Sequence, residues 1–395
     1  MFEKIVLRRS DNGLGLSLGD VAEAMLFYQS VHVILDMQSL DSLVKQLGAR
    51  PLLSLLARRR LSAIYTEDAL ITSTKDARPF KHHSFGAFTI SSKANQKILK
   101  TPKARLAMSL ERYGHSPREA KDLAGQFLEH IHIRGYASDF FTPGGIPRAA
   151  TAELSDAGYV VAAIGRILET LPGFEGMAEK LKAEVVQRDD GSLVFLHNID
   201  FNVANARRKK ENPTLEAMTE AHLLVVLLDA SADVKIASHY GGDFRTSVVD
   251  SDLVRLRYSG ILRRTDISDR ELAEFRDVVL TNYPSVKEVI DSGERTFDDF
   301  ERLLDKSDKF RSTVASMSPD ASLVAEYLAE VSKEGWITSI PAKTVRYVIC
   351  ALIALKSDAA GFAAAWADQF LTERLLKGWR PNHFVDGKLK RFLDP

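Results

Sequence analysis

A chain of 395 residues has material for two or three domains, and its 45% hydrophobic and 27% charged residues are typical of a folded globular protein. Lysine plus arginine equals aspartate plus glutamate at 53 each, which excludes attraction to nucleic acid or anionic membranes by net charge and leaves only local patches. The single cysteine, Cys350, cannot form an internal disulfide and is interpreted as a small buried hydrophobe.

The first ninety residues predict strands that alternate with helices. The N-terminal residues lack the basic-then-apolar pattern of a signal peptide, so we expect a cytoplasmic location. Residues 4–8 and 31–35 are predicted strands, and the second is β-branched and apolar, as in a strand buried on both faces. After two short predicted helices comes a strand at 61–66, which indicates a right-handed parallel crossover. Residues 85–90 are a further candidate strand.

Acidic residues follow two of these predicted strands. Asp36 comes after residues 31–35, and Glu67 with Asp68 comes after residues 61–66. Ligands of open α/β sheets bind beyond the carboxyl ends of parallel strands, so these carboxylates are candidates to hold a metal or act as a base. His83 or His197 is a candidate to assist them. The alternative is that the carboxylates cap the next helix or lie in a solvated loop.

The middle of the chain predicts a helical insertion and a hairpin. Residues 101–133 have the pattern of two helices, and the insertion extends over about 101–180. Residues 184–200 alternate around an Asp-Asp-Gly turn, which is typical of a β-hairpin. We therefore expect a mixed α/β domain over residues 1–205.

Four consecutive cations follow this predicted domain. Arg207, Arg208, Lys209 and Lys210 are able to contact a phosphate backbone, although no aromatic residues lie between them to stack on bases. The alternative interpretation is a solvated linker at residues 206–213. Nucleic acid is the candidate partner of this basic run.

Residues 214–395 predict helices only, and they end in an apolar segment. Residues 341–385 have the pattern of two helices packed as a buried hairpin. A membrane-inserting hairpin at 345–371 is the alternative, but a spanning helix needs about 20 apolar residues and charged residues interrupt this run. The expected fold class is α/β plus all-α: a small mixed or parallel sheet domain followed by a larger helical domain.

Four short sequence segments resemble those of a known protein family. They are Asn-Ile-Asp-Phe at 198–201, Ser-Gly-Glu-Arg at 292–295, Pro-Ala-Lys-Thr at 341–344 and KGWRPNHFV at 377–385. On these residues the chain resembles a bacterial protein family with an N-terminal α/β part and a C-terminal helical part that ends in a KGWxPNxFV-like tail. The resemblance implies a bacterial protein with a fixed tail, and it brings no catalytic residues. Proteins of this layout are associated with toxin and antiphage defence systems, which suggests an accessory role.

Three functions remain open from the sequence. Walker, dinucleotide-binding, HExxH and CxxC motifs are absent, so the first hypothesis is an interaction or regulatory protein that presents Trp379, Arg380 and Phe384 to a protein partner or to a second copy. The second is a metal-dependent hydrolase or nuclease that uses the acidic residues named above. The third is a membrane-perturbing effector that acts through the apolar hairpin. We expect no cofactor, no dedicated metal site and no stable membrane partner.

Overall fold

The computed structural model describes residues 2–10, 15–89, 100–245, 270–280, 283–316, 323–324 and 381–394. Contacts within the chain divide it into two compact units. Unit 1 combines Met1–Lys4, Leu18–Ser30 and Arg263–Pro395, and unit 2 combines Ile5–Ser17 and Val31–Leu262. The division thus differs from the predicted boundary at residues 206–213, which lies inside unit 2.

Two β-sheets form the framework of unit 2. The strands are β1 (Lys4–Leu7), β2 (Ser30–Leu35), β3 (Ser62–Tyr65), β4 (Asp68–Ala77), β5 (Phe80–Thr89), β6 (His132–Ile133), β7 (Ala183–Gln187), β8 (Leu193–His197) and β9 (Asp243–Arg245). The first sheet has the order β6-β3-β2-β1-β9, and its described pairings β1–β9, β2–β3 and β3–β6 are parallel. The second sheet has the order β4-β5-β8-β7 and is antiparallel.

Helices complete both units. They include α1 (Leu18–Phe27), α2 (Met37–Leu47), α3 (Ala49–Ala57), α4 (Pro102–Glu111), α5 (Pro117–His130), α6 (Gly145–Glu153), α7 (Ala157–Thr170), α8 (Phe201–Glu211), α9 (Glu220–Tyr240), α10 (Val286–Asp291), α11 (Phe297–Leu304), α12 (Asp308–Ala315), α13 (Pro381–Phe384) and α14 (Lys390–Leu393). Side-chain oxygens of Thr101 and Ser116 cap α4 and α5, and a proline follows each cap. The predicted combination of a mixed α/β part and a helical part is confirmed.

The long helix α9 is the centre of the unit 2 core. Its residues Leu223, Leu224 and Leu227 belong to one apolar cluster, together with Phe195 of β8. Its residues Leu228, Ala232 and Ile236 belong to a second cluster, which includes Val6, Ile34 and Ile64 of the parallel sheet. A helix that is apolar on several sides must be covered on several sides. The burial of α9 therefore follows from the apolar run in its first half.

A buried ion-pair network joins β1 to α9. Nε of Arg8 donates to Oδ1 of Asp233 at 2.5 Å, and its Nη1 donates to Oδ1 of Asp229 at 3.2 Å. Arg9 donates to the other oxygen of Asp229 at 2.9 Å. Burial by itself lowers the pKa of the Arg8 guanidinium, but the charges of Asp233 and Asp229 outweigh burial and raise that pKa. Arg8 is therefore held as a cation inside the protein.

Aromatic rings form the core of unit 1. Phe27 of α1 packs edge-on against Phe275 and Phe310, with ring centroids 6.1 Å apart in both pairs. Phe310 of α12 stacks on Phe384 of α13 at 5.0 Å. Nζ of Lys287 lies 2.6 Å from Oδ1 of the buried Asp20. The N-terminal helix α1 is thus packed and ion-paired with C-terminal helices of the same unit.

The predicted C-terminal hairpin falls almost entirely outside the described residues, as do Cys350, Trp379 and Arg380. Phe384 is described, and it is 3% exposed. The sequence analysis predicts that Phe384 is presented to a partner. In the structure its ring stacks on Phe310, so Phe384 is part of the core of unit 1. Within the described ranges, no helix combines the length and the apolar character that are needed to cross a bilayer.

Candidate functional site

Asp36, the first predicted site residue, is a helix cap. Its Oδ1 accepts a hydrogen bond from the backbone N–H of Ser39 at 2.7 Å, and it is the residue immediately before α2. A carboxylate in this position satisfies one of the unpaired N–H groups of the first helical turn. Of the two roles considered for Asp36, a ligand or base and a helix cap, its geometry in the structure is that of a helix cap.

Replacing Asp36 with alanine is expected to lower the free energy of unfolding by about 1 kcal/mol, because the first turn of α2 loses its acceptor. Asparagine keeps a side-chain oxygen in the same place, so Asp36→Asn is expected to stay within about 0.5 kcal/mol of the parent protein. Urea denaturation followed by circular dichroism measures both. Equal losses in the two variants would show that the charge of Asp36, and not its capping oxygen, stabilises the protein.

Glu67 and Asp68 are also held by their own partners. Arg105 of α4 donates to both oxygens of Glu67, from Nε at 2.8 Å and from Nη2 at 2.6 Å. Asp68 accepts from the hydroxyl of Thr89 and from the backbone N–H of Tyr136, each at 2.9 Å. The described part of the chain contains no group of three or more His, Cys, Asp or Glu side chains placed to hold a metal. The carboxylates therefore do not supply the metal site that the hydrolase hypothesis requires.

The two predicted histidines, in contrast, come together. Nε2 of His197 on β8 lies 3.3 Å from Oε1 of Glu220, and Nε2 of His83 on β5 lies 3.7 Å from its Oε2. Nζ of Lys81 lies 3.0 Å from the same Oε2. Glu220 is the first residue of α9, and nothing in the local sequence marks it as a site residue. Thr219, at the N-cap position of α9, is the signal that marks the true start.

The surroundings of this histidine–glutamate cluster determine the tautomer of His197 and shift the pKa values of His83 and Glu220. The backbone N–H of Ile199 donates to Nδ1 of His197 at 3.1 Å, so the ring proton of neutral His197 is on Nε2 and points at Glu220. Burial lowers the pKa of His83, and the nearby Glu220 only partly offsets this. Burial alone raises the pKa of Glu220, but hydrogen bonds from Lys81 and His197 outweigh it and lower that pKa.

This cluster is closed to a reactant. His83 is 1% exposed, and its Nδ1 lies 3.0 Å from the hydroxyl of Thr74. Both ring nitrogens of His197 are engaged, and both oxygens of Glu220 face donors. A general base needs a free lone pair within reach of its substrate. The cluster instead ties β5 and β8 to the start of α9.

The opposite side of the same sheet is open. Side chains alternate along a strand, so on β5 His83 and Phe85 face the core while Phe80, His82, Ser84, Gly86 and Phe88 face outward. Cross-strand pairing places Lys75 of β4 beside His82. We call these five outward residues of β5, with Lys75 of β4 and Val186 of β7, the aromatic face. Phe80 is 51% exposed, Phe88 55% and Val186 40%.

The aromatic face has short side chains in one row at its centre, and one end carries cations. Ser84 pairs with Ser73, whereas Gly86 pairs with Ile71, and Cγ1 of Ile71 would lie 3.6 Å from a Cβ placed at Gly86. At the Phe80 end, Nη1 of Arg188 lies 3.5 Å from Nε2 of His82. The sequence analysis missed this face because it began the strand at residue 85 and assigned no strand to β4. Its local sequence signal is the Arg-Pro turn at 78–79 that joins β4 to β5.

The predicted basic linker is helical through Glu211. Arg208 is buried in α8 and donates to the backbone oxygens of Pro172 at 3.2 Å and Glu216 at 3.5 Å. Arg207 donates to the backbone oxygen of Glu175 at 3.4 Å. Lys209 and Lys210 are exposed. Arg207 and Lys210 are three positions apart and are neighbours on the helix surface, whereas Arg208 points into the protein, so the four cations do not form one patch.

Comparison of the chain with protein families, with curated proteins and with solved structures finds no match. The choice among the candidate functions therefore depends on the geometry of the described residues. That geometry offers three carboxylates with structural partners, one closed histidine–glutamate cluster and one exposed apolar sheet face.

Proposed function

We propose that this chain is a cytoplasmic binding protein that presents the aromatic face of its second sheet to a macromolecular partner. One observation carries the proposal. The large hydrophobic side chains exposed within the described residues are Phe80, Phe88, Val186 and Val203, and the first three lie on this one face. Phe80 and Phe88 stand at opposite ends of β5, about 27 Å apart at about 3.4 Å per residue, so they do not form one apolar patch. What favours an interaction site is that three of these four side chains share one uncovered side of a sheet.

The histidine–glutamate cluster supports this role by fixing the sheet from behind. His83 alternates with His82 and Ser84 of the aromatic face, so its contact with Glu220 holds the strand whose other side is exposed. Lys81 adds an ion pair to the same carboxylate next to Phe80. A surface that is rigid before binding loses less conformational entropy when a partner docks. The cluster is thus assigned to positioning and not to chemistry.

The test is photo-crosslinking in the cells that naturally produce the protein. A benzophenone amino acid at Ser84, in the centre of the aromatic face, is expected to form adducts with a macromolecule. The same group at Lys121, an exposed residue of α5, is the matched control and is expected to give none. Adding Phe80→Ser and Phe88→Ser should abolish the Ser84 adducts, because the apolar contacts are removed. Identical patterns from the two positions would contradict the proposed function.

A further inference from the structure

We infer that two copies of this chain pair through the edge strand β7, so that the second sheet continues from one copy into the other. The inference goes beyond the proposed function, because it concerns the edge of the sheet and not the partner of the aromatic face. In the order β4-β5-β8-β7, the strand β7 is the last, and among the described strands it pairs only with β8. An edge strand presents unpaired backbone groups that are a template for pairing with another chain.

The backbone of β7 offers hydrogen-bonding groups to the open edge at alternate residues. In an antiparallel pair, every second residue directs both its N–H and its C=O to the partner strand. The N–H of Arg188 donates across the β7–β8 hairpin at 2.9 Å, so the backbone groups of Arg188 and, two residues earlier, Val186 face β8. Val185 and Gln187 therefore direct their N–H and C=O groups away from β8. Val186, Gln187 and Arg188 are exposed, which leaves this edge accessible.

The side chains of β7 are complementary to the same strand in the reverse direction. Glu184, Val186 and Arg188 alternate onto one face of the sheet, and all three are exposed. When two β7 strands lie antiparallel with the two copies of Val186 opposite each other, Glu184 of each copy lies opposite Arg188 of the other. Val185 then lies opposite Gln187, and these are the residues with backbone groups at the open edge. Opposite charges and apolar pairs directly across a ladder both stabilise it.

The neighbouring registers of this pair are unfavourable. A two-fold axis perpendicular to the sheet keeps outward residues opposite outward residues. Moving the axis one residue toward the start of β7 places Arg188 opposite Lys182, and moving it one residue toward the turn places Glu184 opposite Asp190. Like charges directly opposite each other destabilise a ladder. The charges therefore select the register centred on Val186, which forms one antiparallel sheet of four strands from each copy, with both aromatic faces on the same side.

Other edges and other occupants fit less well. On β4, the opposite edge of the sheet, Lys75 and Asp76 are adjacent and lie on different faces, so no register of β4 against itself pairs them. A polyanion is disfavoured at β7, because Glu184, Asp189 and Asp190 are close to Arg188 in the same hairpin. An unrelated peptide would need the reversed order of charges in its own sequence. A second copy of this chain always supplies that order.

Analytical ultracentrifugation of the purified chain tests the inference. The interface of one short strand on each side is small, so the parent chain is expected to form a dimer that dissociates on dilution. Glu184→Arg and Arg188→Glu each place like charges opposite each other twice in the dimer, so each variant alone is expected to dimerise about tenfold more weakly or worse. Glu129→Arg reverses an exposed acid on α5 and is the control that is expected to change nothing.

Mixing the two charge variants tests the register. In a dimer of one Glu184→Arg copy and one Arg188→Glu copy, both cross-strand pairs again join opposite charges, so the equimolar mixture is expected to regain the affinity of the parent chain. A monomer at every concentration would overturn the inference, as would a dimer that survives both single reversals or a mixture that does not recover. None of these results decides whether Ser84 forms adducts, which tests the proposed function separately.

A cysteine at the two-fold axis gives a second measurement. The two copies of Val186 form a non-hydrogen-bonded pair, in which Cβ atoms are about 4.5–5.5 Å apart, so Val186→Cys is expected to link the copies by a disulfide under mild oxidation. Val203→Cys, at an equally exposed position of α8, is the control, and the parent chain with Cys350 alone gives the background. Equal amounts of linked dimer from Val186→Cys and Val203→Cys would contradict pairing through β7.

Discussion

Replacing Arg8 with methionine is expected to lower the free energy of unfolding by about 3–5 kcal/mol, the usual cost of removing one partner from a buried ion pair. Methionine fills much of the volume but leaves Asp233, whose side chain is 5% exposed, without the guanidinium that lies 2.5 Å away. A buried carboxylate without its cation must remain charged at high cost or take up a proton. Urea denaturation of the parent and the variant measures the difference.

The neighbouring arginine provides the control for Arg8. Arg9 pairs with Asp229 at 2.9 Å, but its side chain is 30% exposed, so Arg9→Met is expected to cost about 1 kcal/mol or less. The double variant Arg8→Met with Asp233→Leu is expected to recover part of the stability, because the unpaired carboxylate of Asp233 is removed and Asp229 keeps its pair with Arg9. Similar losses in Arg8→Met and Arg9→Met, or no recovery in the double variant, would contradict the buried-pair explanation.

Local sequence patterns were sufficient to predict several strands. The apolar run at 31–35 is β2, the run at 61–66 contains β3, and the hairpin at 184–200 is β7 and β8 around the predicted Asp-Asp-Gly turn. These strands are predictable from sequence because they are either buried on both faces, which gives an apolar run, or joined by a turn of specific sequence. β4 was missed because its second half, from Ser73 to Asp76, is exposed and polar, so the sequence lacks the apolar alternation of a half-buried strand.

Long-range packing could not be predicted in the same way. The N–H of Gly19 donates to Asp291 at 2.8 Å, a contact between residues 272 positions apart in sequence, and it helps to place α1 with the C-terminal helices. No local pattern near residue 19 indicates this partner. The division of the chain into units therefore differs from the linear boundary that composition suggested.

The candidate site illustrates the same limit. Asp36, Glu67 and Asp68 follow strands in the structure, as the sequence pattern predicts. The partners of Glu67 and Asp68, which are Arg105 and Tyr136, come from distant segments. Two of the five residues, His83 and His197, do share a cluster, although only tertiary structure reveals that Glu220 joins them. The exposure of Phe80 and Phe88 likewise depends on which face of the sheet is covered, and alternation alone does not decide that.

The sequence of the basic run at 207–210 allows two interpretations, a solvated linker between two parts of the chain or a contact with a phosphate backbone. In the structure Arg208, Lys209 and Lys210 occupy the last turn of α8, where cations interact favourably with the negative end of the helix dipole. Asp200 caps the start of this helix through hydrogen bonds from the N–H groups of Asn202 and Val203. A run of cations at a helix terminus and a run of cations in a linker thus look alike in sequence. The capping residue Asp200, which marks the start of a helix, distinguishes the two cases here.

Arg208→Ala is expected to lower the free energy of unfolding by about 2–3 kcal/mol, because it removes charged hydrogen bonds to two backbone oxygens together with the packing of the arginine stem. The stem fits closely: a Cβ built at Gly173, which has a φ of +87°, would lie 2.5 Å from Cγ of Arg208. Lysine lacks the planar fork that reaches both Pro172 and Glu216, so Arg208→Lys is expected to restore only part of the loss. Thermal and urea unfolding measure these differences.

Lys209→Ala is the matched control for Arg208→Ala, since it removes an adjacent cation from the same turn of α8 without a buried contact. Its effect on unfolding is expected to be within about 0.5 kcal/mol. If Arg208 acted mainly as a phosphate ligand, its loss would weaken oligonucleotide binding and leave stability unchanged. The structure predicts the reverse, because Arg208 is a residue only 7% exposed whose guanidinium is already bonded to two carbonyls, so it cannot reach a phosphate without unpacking the end of the helix.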